Sequence, residues 1–266
     1  MDREARAGSG SGGDEAIATV VFDFDSTLIG RESLDEMLSR LSSDRDAEIR
    51  AITDRGMAGE IDFRTSMESR LAIARPTRAM VEEFGREAVD YLVPGMADLV
   101  RSLPAECWVI SGGLQEALVE TARTLGIPAK RVRGTQLDWA DDGTMRGLKR
   151  CGPKADAVKD VARSWERPRV AVGDGMSDHA LLEAGMVDHF VAFTGVVRRA
   201  PVVATGCPEA ASVDELEYVL QRLLLRRRSP SRANASVSSC SRAFTKARSR
   251  RSTASATRTS SGGRRR

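Results

Sequence analysis

Residues 16–29 read AIATVVFDFDSTLI, and how this stretch is read decides the rest of the chain. Residues 16–24 form a short apolar, β-branched run, the pattern of a strand buried on both faces. The run ends in DFDST, which puts Asp23 and Asp25 at the strand's carboxyl end. Side chains two apart on a strand project from the same face, so both carboxylates can be aimed at one cleft.

Four helical patterns follow without an intervening strand. Leu34, Met37, Leu38 and Leu41 mark the first, with Ser33 and Glu36 as a capping box. The spacing predicts a second over 44–55, a third through Phe63, Met67, Arg70, Leu71 and Ala74, and a fourth through Met80, Val81, Phe84, Ala88 and Val89. Beyond them the chain alternates. A helix over 95–103 leads to the strand CWVIS, ending at Ser111-Gly112-Gly113. A helix over 114–125 is stopped by Gly126 and Pro128. A hairpin turns at Asp141-Asp142-Gly143, residues 154–164 are helical, and residues 169–172 form a strand ending in GDGMSD. A helix ending near Gly185, the strand HFVAF, a further strand at 201–204 and a last helix, capped by Ser212 and Glu215, complete the pattern.

Strands alternating with helices imply an α/β fold, a doubly wound parallel sheet in which ligands sit at the carboxyl ends of the strands. The expected organisation is a leader at 1–15, a core of 16–31 and 93–225, an inserted helical cap at 32–92, and a tail at 226–266. Gly8, Gly10 and Gly13 match GxGxxG, but they precede the first strand, where a dinucleotide loop has to follow one.

Composition narrows the function. Of 41 basic residues 13 fall in 226–266, a segment with none of the 38 acidic ones, so the remainder carries 28 against 38, a net of −10. An acidic domain is a poor partner for nucleic acid, and only the Arg/Ser-rich tail, which reads as disordered, keeps an anion-binding reading open. No apolar run approaches the ~18 residues of a membrane span, and the N-terminal residues do not resemble a secretory signal. Four cysteines without CxxC spacing argue against a zinc site or a disulfide framework and point to a reducing cytoplasm.

Three strand ends carry polar clusters: Asp23 and Asp25, Ser111, and Asp174 and Asp178. A carboxylate can attack phosphorus, and a neighbouring carboxyl can protonate the leaving alkoxide and then deprotonate water. An anionic ester beside carboxylates requires cations. Mg²⁺ suits oxygen ligands, and Lys154 offers a point charge. Ser111 and the amides near Gly112 can donate to phosphoryl oxygens. Each motif alone is also compatible with an ordinary strand-exit turn, a helix cap or a solvated lysine. His179 belongs to no motif and reads as a bystander.

In this order, DFDSTLI, VISGG, GPK and VGDGMSD resemble the four motifs of the haloacid dehalogenase superfamily, and within it the phosphoserine phosphatase family, over about residues 17–224. The resemblance implies Asp23 as nucleophile and Asp25 as general acid/base. It implies Mg²⁺ on Asp23, the Asp25 carbonyl and Asp174, with Asp178 supporting, and phosphate on Ser111, Gly112 and Lys154. Glu32, Met57, Phe63 and Arg70 match the family's substrate positions in the cap, with Glu32 for an ammonium and Arg70 for a carboxylate. The implied reaction is hydrolysis of O-phospho-L-serine to L-serine and phosphate, a step of serine biosynthesis. The residues leave open a phosphatase for another small phosphomonoester, such as phosphothreonine or a phosphorylated alcohol, and a binding protein acting through its basic tail. Two departures bear on substrate choice: RCGP precedes Lys154 in place of a glycine-rich run, and Ser177 stands where Thr or Asn is common.

Overall fold

The structure is a computed structural model and describes residues 18–57 and 60–224. The chain divides into two units, residues 1–225 and 226–266. The second unit, with the tail expected there, lies outside the described residues, as do the leader and its glycines.

Strand β1 (Thr19–Phe22) is buried along its whole length. Its side chains alternate between two cores. Val20 and Phe22 enter one with Val109, Val172 and Val191, while Val21 enters the other with Ile110, Ala171 and Phe190. A strand with apolar neighbours above and below has no polar face, and its sequence is therefore apolar without a period.

After β1 come α1 (Ser33–Leu41), α2 (Asp46–Met57), α3 (Phe63–Ala74) and α4 (Arg78–Glu87). Then follow α5 (Met96–Ser102), β2 (Glu106–Leu114), α6 (Gln115–Thr124), β3 (Val132–Trp139), β4 (Met145–Arg150), α7 (Lys154–Val158), β5 (Arg169–Gly173), α8 (Met176–Glu183), β6 (His189–Phe193), α9 (Ala200–Ala204), β7 (Glu209–Ala210) and α10 (Val213–Leu224). The strands form one sheet in the order β4-β3-β2-β1-β5-β6-β7. All neighbours are parallel except β3 and β4, which form the hairpin turning at Gly143, whose φ of +81° suits glycine. Helices α5, α6 and α10 cover one face of the sheet and α7, α8 and α9 the other. The α/β doubly wound class read from the sequence is the class observed.

Phe22 lies opposite Val109 on β2 and Val172 on β5. The next residues of all three strands therefore emerge at one edge, where the strand order reverses about β1, the usual position of a ligand crevice. The four helices α1–α4 are inserted just beyond that edge. The chain leaves and returns through a short stem in which Ile29 bridges Leu92, the Gly30 N–H donates to the Tyr91 carbonyl at 2.8 Å and the Val93 N–H to the Leu28 carbonyl at 2.9 Å.

Several local expectations are corrected. Helix α1 has no Ser33 capping box: Glu32 is its N-cap residue, and the Ser33 N–H donates instead to the Asp25 carboxylate at 2.9 Å. Residues 201–204 are helical, not a strand, because Pro201 has no N–H for a ladder and fits the first turn of α9. The helix expected at 154–164 ends at Val158 and is followed by a single turn at Ala162–Ser164. Strand β2 does not stop at Ser111 but continues to Leu114, with its register against β3 shifting between Ile110 and Leu114. At α10 the Ser212 hydroxyl accepts the Glu215 N–H at 3.2 Å, but the Glu215 carboxylate takes the Ala211 N–H at 2.8 Å, one residue before the cap. Among the described residues no helix is long and apolar enough to cross a membrane.

Candidate active site

Asp23 is the first residue beyond β1, fixed by its N–H donating to the Val172 carbonyl at 2.8 Å. Residues Phe24–Leu28 then make a wide turn closed by the Ile29 N–H on the Phe24 carbonyl at 3.0 Å. Within it Asp25 is extended and Ser26 sits at φ 52°, in the left-handed region that L-residues seldom adopt. Such backbone persists where surrounding contacts hold it, and here the Ser26 hydroxyl donates to Glu32 Oε1 at 2.8 Å.

From β5, Gly173 leads into Asp174, and α8 carries Asp178. A Cβ on Gly173 would lie 2.2 Å from the Asp178 carboxyl carbon, so the missing side chain is what lets this carboxylate lie back across the strand end. The Gly175 N–H donates to its Oδ2 at 3.1 Å. Asp23, Asp174 and Asp178 are all buried and offer oxygens within 4.8 Å of one another. Lys154, the first residue of α7, sits between two of them, with Nζ 2.6 Å from Asp23 Oδ1 and 2.7 Å from Asp178 Oδ1.

The electrostatics show a shortage of positive charge. Burial, then the charge of Asp23, pushes the Asp25 carboxyl up to about 8 despite its bond from Ser33. Burial also raises Asp174, Asp178 and Glu32 above the ordinary carboxylate range. Burial opposes the charge of Lys154, but Asp178 and Asp23 together hold it above its usual value. Among the described residues, five carboxyl groups, those of Asp23, Asp25, Glu32, Asp174 and Asp178, face two cations, Lys154 and Arg199. A cluster of hard oxygen donors with excess negative charge has the composition of a divalent-cation site.

Arg199 escaped the sequence reading. Its Nε lies 2.6 Å from Asp174 Oδ2 and its Nη2 3.2 Å from Glu32 Oε1, so it links the acidic cluster to the first helix of the insertion. The one available signal was its place just after β6, at the same carboxyl edge. The phosphate-binding candidates lie on β2: the buried Ser111 hydroxyl accepts the Gly113 N–H at 3.0 Å. Phe63, at the start of α3 and 45% exposed, has its ring over Gly112, where an added Cβ would lie 3.1 Å from Cζ. Arg70 is buried on the same helix and donates to Asp35 at 2.9 Å. Met57 closes α2, and its side chain lies outside the described residues. His179 packs edge-on against Phe190 at 5.5 Å and lies 3.2 Å from Glu183, with no contact to the acidic cluster among the described residues.

Comparison with known proteins agrees with this geometry. The haloacid dehalogenase-like hydrolase family matches residues 20–183. Phosphoserine phosphatase of Homo sapiens is 31% identical over 194 residues, 69% of this chain and 84% of that one. Phosphoserine phosphatase of Idiomarina loihiensis is 34% identical over 179 residues, 63% of this chain and 79% of that one. Among solved structures, a phosphoserine phosphohydrolase-like protein from Francisella tularensis superposes with a TM-score of 0.69 at 33% identity, covering 76% of this chain and 99% of that one. A family match across both sides of the helical insertion, on a sheet whose strand ends converge on buried carboxylates, leads to one conclusion: the chain belongs to the haloacid dehalogenase-like hydrolase family.

Proposed function

We propose that the chain is a Mg²⁺-dependent phosphoserine phosphatase that hydrolyses O-phospho-L-serine to L-serine and phosphate. The observation that carries the reading is the buried cluster of Asp23, Asp174 and Asp178, with oxygens within 4.8 Å and Lys154 bound between two of them. The relatives' shared activity supports the substrate.

An Asp23 carboxylate oxygen attacks phosphorus as the bond from phosphorus to the serine oxygen breaks. Asp25 gives its proton to that oxygen, releasing serine and leaving an aspartyl-phosphate on Asp23. Asp25 then takes a proton from water as the water oxygen attacks phosphorus. The bond to Asp23 breaks, phosphate leaves and the Asp23 carboxylate is restored. Lys154 pairs with the phosphoryl oxygens, which the Ser111 hydroxyl and the Gly112 N–H also bind. Asp23, Asp174 and the Asp25 backbone carbonyl would hold Mg²⁺, with Asp178 supporting. Bound there, Mg²⁺ offsets the repulsion between an anionic ester and the carboxylates.

Residues 32–92 act as a cap over a core of 16–31 and 93–225. Glu32 takes the substrate ammonium and Arg70 its carboxylate, and Phe63 supplies an apolar wall. Cys107, Cys151 and Cys207 carry free thiols, which suits a cytoplasmic enzyme. The test is phosphate release from a panel of phosphomonoesters with and without Mg²⁺. Phosphoserine should lead the panel, and chelation should abolish turnover. Turnover retained in excess chelator, or a panel led by an ester lacking the amino-acid headgroup, would overturn the reading.

A further inference from the structure

Arg70 is held on three of its donors. Its Nη1 donates to Asp35 Oδ1 at 2.9 Å and to Thr53 Oγ1 at 3.3 Å, and its Nε to the Ser66 carbonyl at 3.3 Å. A guanidinium has five N–H groups, one on Nε and two on each terminal nitrogen. The two that remain are both on Nη2, which has no hydrogen-bond partner among the described residues. The Thr53 hydroxyl also lies 3.3 Å from Asp35 Oδ1, closing a triangle between α1, α2 and α3.

Asp35 is not an ordinary surface partner. The Arg70 side chain is 7% exposed and that of Asp35 41%, so the pair joins a buried cation to a carboxylate at the rim. A buried guanidinium needs a counter-charge, and its salt bridges within the described residues are all with Asp35. Asp35 also lies three positions after Glu32, the N-cap residue of α1. The residue that steers Arg70 therefore stands in the first turn of the helix whose N-cap is the residue assigned to the substrate ammonium.

On the phosphoserine reading above, on which this rests, we infer that Asp35 is a positioning residue. It fixes the Arg70 guanidinium so that Nη2 alone meets the substrate carboxylate, end-on. The two-nitrogen fork that an arginine usually offers a carboxylate is closed here, because both other nitrogens are engaged. Specificity for the carboxylate then depends on a residue that never touches the substrate.

The experiment compares O-phospho-L-serine with phosphoethanolamine, which keeps the ammonium and phosphate and lacks the carboxylate. Wild type, Asp35→Asn and Thr53→Val are assayed at saturating Mg²⁺, with kcat and KM read separately and folding checked by thermal melts. Wild type should prefer phosphoserine. In Asp35→Asn the ratio of kcat/KM for phosphoserine over phosphoethanolamine should fall roughly 5- to 10-fold, through a higher KM for phosphoserine. Thr53→Val, which loses a neutral bond to the same nitrogen, should shift the ratio the same way by about 2- to 3-fold and carries the test if the Asn variant misfolds. An equal loss on both substrates, an unchanged ratio, or a tighter KM in Asp35→Asn would overturn the positioning role while leaving the substrate reading intact. A wild type with no preference for phosphoserine would sink the substrate reading, and the positioning role with it.

Discussion

Gly173→Ala is the smallest change that should dismantle the site, and its size follows from distances already given. The new methyl would lie 2.2 Å from the Asp178 carboxyl carbon, 2.4 Å from Oδ2 and 2.6 Å from Cβ. Asp178 cannot swing aside freely, since it is buried and held by Lys154 at 2.7 Å and the Gly175 N–H at 3.1 Å. Overpacking of this kind costs about 1–3 kcal/mol. Pushing the carboxylate off Lys154 adds part of the ~3–5 kcal/mol for breaking a buried ion pair. A total near 3–5 kcal/mol in a domain of this size lowers the melting temperature by roughly 6–20 °C. Calorimetry and phosphate release on the purified variant measure both consequences, and turnover should fall far more than the residual folded fraction. A variant with wild-type melting temperature and wild-type turnover would refute the claim that this glycine exists to admit Asp178.

Asp23→Asn should leave the fold intact and remove turnover, and Asp25→Asn should lower kcat by about 100-fold or more, both read by phosphate release on melt-checked protein. Arg199→Gln takes a positive charge away from Asp174, so Mg²⁺ should bind roughly 3- to 10-fold more tightly in calorimetric titrations; weaker binding would mean that Arg199 orients the carboxylate instead of competing for it. Asp188 lies 2.9 Å from Arg169 and 2.8 Å from Arg167; burial opposes its charge, but Arg169 and then Arg167 hold its carboxyl below the ordinary range. Its stabilisation is therefore complete above the unfolded value of about 3.9 and lost as pH falls through the lower folded value. The unfolding free energy of Asp188→Asn from urea titrations should accordingly sit below wild type at neutral pH, by about 1 kcal/mol, and converge with it in strong acid.

Much of this was legible in the chain itself. The run at residues 16–24 declares a strand because both faces of β1 meet apolar side chains, and the carboxyl-edge positions of Asp23 and Asp174 follow once β1 and β5 are parallel. Phe63 and Ala74, picked by spacing alone, are the first and last residues of α3. Other features leave no local trace. Arg199 meets partners 25 and 167 positions away, and nothing in its own neighbourhood encodes them. Ser33 and Glu36 have the spacing of a capping box, but Asp25 takes the N–H that would anchor it, a competition visible only in three dimensions. The same holds for Asp35, whose meeting with Arg70 depends on how α1 packs on α3. Strand β7, at two residues, is too short to carry a period.

The central position of β1 also bears on how the protein is made. Phe22 lies opposite Val172, 150 positions further along, so Asp23 meets Asp174 only after that distant pairing closes. Closing so long a loop is entropically demanding, and chains dominated by non-local pairings fold slowly. The inserted helices are built from near neighbours in sequence and can condense much earlier. A refolding chain should thus recover a large part of its helical circular dichroism before any catalysis returns, and regained activity becomes a clock for the last long-range strand to dock.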